Sequence, residues 1–138
     1  MITTIGRNLM NDDSVHGTAD VGTWYVGLID LASYTTGIAA GDTMASHAGW
    51  IECTAYDEET RPEWTEGAAS NGVTTNGSVV TFTISATKTV KGFFLASSST
   101  KGEAASTLLG TALFNEGDKP VVDGDQCLVT ATLSLVAA

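Results

Sequence analysis

The stretch QCLVTATLSLV, residues 126–136, carries the clearest indication of the fold class. Its odd-numbered positions from 127 to 135 are all apolar, and its even-numbered positions from 130 to 134 all carry hydroxyl groups. A repeat of two residues is that of a β-strand with one buried face, whereas a helix repeats about every 3.6 residues. The stretch is therefore predicted to be one long strand.

A second alternating stretch, SVVTFTISA at 78–86, places Val80, Phe82 and Ile84 on one face and hydroxyl side chains on the other. The preceding Asn76–Gly77 pair is typical of a tight hairpin turn. The sequence therefore predicts a hairpin whose other strand runs through residues 70–75 or lies further upstream.

The stretch TVKGFFLAS at 89–97 also favours a strand, but here three large apolar residues, Phe93, Phe94 and Leu95, are consecutive. Successive strand residues point to opposite faces. We therefore expect this strand to be buried on both faces, or to bury one face against another subunit.

Further strand candidates are TWYVGLIDL (23–31), AGWIECTAY (48–56) and the extended centre of GDKPVVDGD (117–125). STLLGTALF (106–114) is compatible with a strand or a short helix, and Gly110 and Thr111 favour the strand. Six or more short strands separated by glycine-rich turns predict an all-β fold, an antiparallel β-sandwich of jelly-roll or Ig-like type. We expect this domain to span residues 23–138.

One short helix is predicted near residues 42–48, because Asp42 can cap its start and Gly49 can end it. Residues 1–22 alternate poorly and are predicted to form an extended N-terminal arm that is ordered by docking.

The charge balance narrows the choice of partners. The 138 residues include 16 acidic and only six scattered basic ones, which gives a formal net charge of -10. We therefore expect no direct contact with nucleic acid and no binding to anionic membrane surfaces.

The chain has no apolar run of membrane-spanning length and no signal-peptide pattern, which predicts synthesis in the cytoplasm. Cys53 and Cys127 are expected to be free thiols there.

Residues 40–64 hold the densest chemistry, yet no catalytic motif, and they are predicted to form a structured excursion between two strands, pinned by Trp50 and Trp64. Ser46 and Cys53 lie near His47 in the sequence, but a nucleophile and its base are usually brought together from distant segments. The acidic run at 56–66 is interpreted as a solvated loop, or as a contact patch built from Arg61, Glu63 and Trp64. Nothing in the run shows that two carboxyl groups face each other, as glycoside hydrolysis requires. We therefore predict that the protein is not an enzyme.

Three groups of side chains contain possible metal ligands. They are His16 with Asp12 and Asp13, His47 with Asp42 and Glu52, and the DGD sequence at 123–125. Each offers too few ligands at suitable spacing for a zinc or calcium site. Because phosphate-binding glycine motifs are also absent from the sequence, we expect no metal and no cofactor.

The order of several motifs resembles that of small tailed-bacteriophage proteins encoded among virion structural genes. These motifs are TWYVGLID, GIAAGDTMASHAGWIECTAYDEETRPEW, VTFTISATKTVKGFFLAS and TKGEAASTLLGTALF. The resemblance covers residues 23–136, is most specific at 42–64, and leaves out the first 20 residues. It implies a non-enzymatic protein of the virus particle.

The resemblance and the composition together predict a capsid decoration or cement protein on the capsid surface, made in the host cytoplasm. Its expected partners are the major capsid protein and further copies of itself, as a trimer or dimer. The predicted contact residues form two surfaces: Arg61 and Trp64 of TRPEW, with Trp50, on one, and Lys88 and Lys91 beside Phe93 and Phe94 on the other.

Two other functions remain open. A tail or neck component is compatible with the same β-rich composition. A carbohydrate-binding module would need exposed, coplanar aromatic rings. The adjacent Trp24 and Tyr25 do not meet that need, since neighbouring strand residues point to opposite faces.

Overall fold

The computed structural model describes residues 1–17 and 22–135. Its nine strands pair only in antiparallel fashion, and they accompany one α-helix. The predicted all-β fold with a single short helix is therefore confirmed. The elements are α1 (Thr4–Asn11), a π-helical turn (Asp12–His16), β1 (Tyr25–Asp30), a 3-10 turn (Leu31–Ser33), β2 (Glu52–Cys53), β3 (Val73–Thr75), β4 (Val80–Thr83), β5 (Lys88–Ala96), β6 (Leu108–Leu113), β7 (Lys119–Val121), β8 (Gln126–Val129) and β9 (Thr132–Ser134).

The largest sheet is built around β5, the longest strand. Its order is β2-β1-β5-β6, and β7 also pairs with β5. β1 runs along one edge of β5, whereas β6 and β7 share the other edge, at residues 92–96 and 88–90 respectively. This arrangement leaves β5 without a free edge over most of its length.

One face of this sheet is covered by two two-stranded sheets, β4–β8 and β3–β9. The alternation predicted for residues 78–86 is confirmed, because Val80, Phe82 and Ile84 are all buried. They join Val26 and Leu28 from β1 in the main hydrophobic core.

The opposite face of the large sheet is covered by the excursion between β1 and β2. Ile29 and Phe94 from the sheet pack with Met44 and Trp50 from this excursion in a second core cluster. Phe94 reaches this side because Gly27 lies beneath its ring, where a Cβ atom would stand 2.1 Å from the ring. The prediction that β5 is buried on both faces is confirmed within the single chain.

Residues 126–136 form two strands rather than one, with residue 136 outside the described part. The predicted alternation holds over residues 127–131, where Cys127, Val129 and Ala131 are buried, but it fails at Leu135, which is 55% exposed. β8 pairs with β4, however, and β9 pairs with β3. The Asn76 side chain occupies the break between them, accepting from the Ala131 amide (2.8 Å) and donating to the Val129 carbonyl (2.9 Å).

The same pairing shows that the predicted hairpin at Asn76–Gly77 is wrong. β4 finds its partner downstream in β8, not in residues 70–75 or further upstream. The physical reason is that Asn76 is drawn into side-chain hydrogen bonds, while the Gly77 amide donates to the Thr65 carbonyl (2.6 Å).

The short helix lies near the N-terminus, and its predicted position at 42–48 is wrong. There the chain makes a tight turn in which Thr43 and Ser46 bridge each other. Asp42 does not cap a following helix, because its carboxylate accepts from the Ala39 amide and the Trp50 indole, both at 2.9 Å.

Helix α1 begins after Thr3, whose hydroxyl group accepts from the Gly6 amide (3.0 Å). The segment docks on β6: Ile2 bridges Gly110, and Gly6 lies so close to the Leu109 carbonyl that a Cβ atom would be 2.3 Å from its oxygen. The start of the predicted arm is thus ordered by docking but is helical rather than extended over Thr4–Asn11, and residues 18–21 of the arm lie outside the described residues. The domain boundary at residues 22 and 23 stays a prediction.

No helix within residues 1–17 and 22–135 is long and apolar enough to cross a membrane.

Candidate functional site

The first half of the 40–64 stretch is held by Trp50. Its side chain is buried, its indole donates to Asp42, and His47 stacks on it with ring centroids 4.0 Å apart. The His47 Nδ1 atom lies 2.8 Å from the Trp50 carbonyl oxygen. These contacts fold the stretch onto the sheet, as expected for an excursion anchored by a tryptophan.

Arg61 is the most deeply buried charged side chain in this stretch. It is 1% exposed and pairs with Glu52 through two hydrogen bonds of 2.8 Å. Its remaining donors reach the carbonyl groups of Ser98 (3.0 Å) and Glu103 (3.3 Å). Because every arm of the guanidinium is used inside the chain, Arg61 ties the segment after β2 to Glu52 and to the loop after β5.

Trp64 closes the stretch. It is 2% exposed, and its indole donates to Asn76 Oδ1 at 2.7 Å. The three residues of the first predicted contact surface, Trp50, Arg61 and Trp64, therefore lie in the interior. As placed here their side chains stabilise the fold, and they do not form an exposed patch.

The second predicted surface is not basic. Lys88 pairs with Asp30 at 2.9 Å, and this hydrogen bond raises the pKa of Lys88. Lys91 pairs with Asp118 at 2.8 Å. Phe93 is half-buried and packs near Phe114, with ring centroids 6.1 Å apart.

The predicted nucleophile candidates are not assembled. Cys53 lies in the main core, and burial raises the pKa of its thiol group. The Ser46 amide donates to Thr43 within the turn, while the imidazole of His47 is engaged with Trp50.

The candidate metal ligands are likewise not grouped, or they already bind other groups of the chain. Within the described part of the chain, no three His, Cys, Asp or Glu side chains are grouped to hold an ion. Glu52 pairs with Arg61, and Asp125 accepts from the Val122 amide at 2.9 Å. The side chain of His16 lies outside what the structure describes.

Every lysine and arginine is engaged with another group of the same chain. Arg7 and Lys101 donate hydrogen bonds to Thr4 Oγ1 (3.3 Å) and to the Tyr56 carbonyl (2.7 Å). The other four form ion pairs, namely Arg61–Glu52, Lys88–Asp30, Lys91–Asp118 and Lys119–Glu116. With 16 acidic residues against six basic ones, the surplus charge left without an internal counter-charge is negative.

A cavity of about 220 Å³ lies between α1 and the body of the domain; we call it the helix cavity. Its lining includes Met10, the indoles of Trp24 and Trp64, and two exposed carboxylates, Asp13 and Glu66. No sequence motif indicates this site, because its residues come from several segments that only the fold brings together.

Apolar side chains also remain exposed on the outer face of the β4–β8 pair. Leu128 is 60% exposed and lies opposite Thr81, and Val79 is 52% exposed on the same face. The outward-facing positions of β8 are therefore not all polar.

No protein-family model matches the chain, and no curated protein is significantly similar to it. The resemblance to phage virion proteins therefore stays a prediction.

Proposed function

We propose that the protein is a structural component of a tailed-phage particle, a capsid decoration or cement protein that binds the head shell without covalent bonds. The observation that carries the proposal is the internal use of all six basic side chains. The formal charge of -10 is consequently presented to the surroundings, and a partner must supply basic or apolar groups.

Two further features support this proposal. Residues 23–136 resemble small virion proteins in the order of their motifs, and the most specific block, 42–64, is held in the domain by the buried side chains of Trp50, Arg61 and Trp64. A β-rich unit anchored in this way suits a protein that repeats many times on a shell.

The proposed partners are the major capsid protein and further copies of this chain, as a dimer or trimer. Each copy would add contact energy at a junction between capsomers, so that many copies together resist the pressure of the packaged DNA. The proposed location is the outer surface of the capsid.

The test is the number of copies per purified particle of the phage that encodes the chain, measured by quantitative mass spectrometry against the major capsid protein. A ratio between one to one and one to a few is expected. A handful to a few dozen copies would indicate a neck or tail component instead. Complete absence from the particle would refute the proposal and favour the sugar-binding or enzymatic alternatives.

The charge argument has its own test on the same particles. Because exposed charges are screened at distances beyond about 8 Å at physiological salt and about 3 Å at 1 M, attachment should weaken as the salt concentration rises. Retention that does not change between low and high salt would contradict charge complementarity as the basis of docking.

A further inference from the structure

The helix cavity combines apolar walls, aromatic rings and negative charge. Leu9 and Met10 of α1 face Leu109 and Leu133 across it, and Trp24 and Trp64 complete the walls. Trp64 is almost fully buried, whereas Trp24 is only partly so, which places Trp24 nearer the opening.

Among the described residues, the two carboxylates of the cavity have no counter-charge. Asp13 and Glu66 are both exposed, and neither side chain makes a hydrogen bond or ion pair with the described residues. No described lining residue is basic. None of the six lysine and arginine side chains pairs with either carboxylate: four form ion pairs elsewhere, and Arg7 and Lys101 donate to neutral oxygen atoms.

We propose that the helix cavity binds a basic side chain, lysine or arginine, that projects from the surface of a partner protein. Such a side chain has an apolar stem and a charged end. The stem would lie against the leucine and methionine walls, and the charged end would reach Asp13 and Glu66. Indole rings attract cations that approach within about 6 Å of their faces.

The size of the cavity favours a single side chain over a larger ligand. Its volume of about 220 Å³ is below the roughly 300–1,000 Å³ of ordinary small-molecule pockets. A divalent metal is disfavoured by the ligand set, because calcium takes about six to eight oxygen ligands and the cavity offers two carboxylates.

The partner's identity rests on the proposed function, but the chemistry of the cavity can be tested without it. The probe is Nα-acetyl-lysine methylamide, and the readout is the indole N–H signals of Trp24 and Trp64 in a nitrogen-15 NMR titration. The norleucine analogue has a similar apolar stem but no ammonium group. We expect saturable shifts with the lysine probe and none with norleucine.

The double variant Asp13→Asn, Glu66→Gln should weaken lysine binding by about tenfold, since it removes charge-assisted contacts. Its matched control is Glu59→Gln, Asp123→Asn, which removes the same two charges at exposed positions outside the cavity. The control should bind like the wild type.

Three outcomes would overturn the inference: no saturable shift with lysine, equal shifts with norleucine, or equal weakening in the control variant. If the double variant does not fold, the wild-type comparison between lysine and norleucine still decides. Lysine binding by a chain that is absent from particles would refute the proposed function alone. A chain present on particles but without lysine binding would refute only the inference.

Discussion

Replacement of Arg61 by methionine probes the most deeply buried charge of the fold. The side chain of Arg61 is 0% exposed and that of its partner Glu52 is 7% exposed. The replacement removes both 2.8 Å hydrogen bonds to Glu52, and the carbonyl groups of Ser98 and Glu103 lose a donor. Glu52 then keeps only the Gly102 amide as a partner, at 2.8 Å.

The expected loss in free energy of unfolding arises because the carboxylate of Glu52 is left without its counter-charge. Removing one member of a buried ion pair typically lowers the free energy of unfolding by about 3–5 kcal/mol. A domain of this size is stable by about 5–15 kcal/mol in total, so Arg61→Met removes a large fraction of that free energy. At about 3–4 °C per kcal/mol, the melting temperature should fall by roughly 10–20 °C.

The assay is urea unfolding followed by tryptophan fluorescence, because Trp50 and Trp64 are buried in the native state. Lys91→Met is the control; its exposed pair with Asp118 should contribute no more than about 1 kcal/mol. The double variant with Glu52→Leu should recover about 1–3 kcal/mol, since the isolated charge is gone.

A loss of less than about 1 kcal/mol in Arg61→Met would refute this reasoning. So would a double variant that is less stable than the single one, because the cost would then not come from the buried carboxylate of Glu52.

Three more outcomes are expected. Asn76→Ala should lower the free energy of unfolding by about 3 kcal/mol in urea titrations, because it leaves three hydrogen-bonding groups without their partner; a loss below about 1 kcal/mol would contradict this. Gly6→Ala should lower the free energy of unfolding by about 1–3 kcal/mol and speed amide hydrogen exchange in α1, because the added Cβ atom would meet the Leu109 carbonyl. Gly41→Ala is the control, because its Cβ atom would meet nothing within 4 Å. Equal exchange rates in both variants would show that the close approach of Gly6 to Leu109 is unimportant. Burial raises the pKa of Tyr56 from 10.0, so the wild type should lose stability as the pH rises above about 10, where the unfolded chain ionises first. Tyr56→Phe should show a smaller alkaline loss than the wild type, because only the part caused by the buried thiols of Cys53 and Cys127 remains. It should keep its stability at neutral pH, because the buried hydroxyl has no partner among the described residues; unfolding at pH 8 and pH 11 tests both points.

The candidate site was only partly accessible from the sequence. That Trp50 and Trp64 anchor the 40–64 stretch could be predicted, because large aromatic residues tend to be buried. The burial of Arg61 could not, since its partners include Ser98 and Glu103, about 40 positions away. The paired state of Lys88 and Lys91 was hidden for the same reason. The predicted contact surfaces assumed that charged residues stay exposed, and that general tendency fails where the fold supplies an ion-pair partner.

The helix cavity was not predicted at all. Asp13, Trp24 and Glu66 are separated by long stretches of sequence and share no motif. Their proximity depends on the docking of α1 against β6, which in turn depends on Gly6 fitting against Leu109.

The alternation between core and surface could be predicted from the sequence alone, because the two-residue repeat of a strand is a local property of the chain. The antiparallel all-β fold and the buried faces of residues 78–86 and 127–131 follow from it, whereas the exposure of Leu135 does not. The pairing of the strands, the break within residues 126–136 and the position of the helix could be learned only from the folded structure. Those outcomes depend on contacts between distant segments, such as Asn76 with Val129 and Ala131, whose free energy no local pattern encodes.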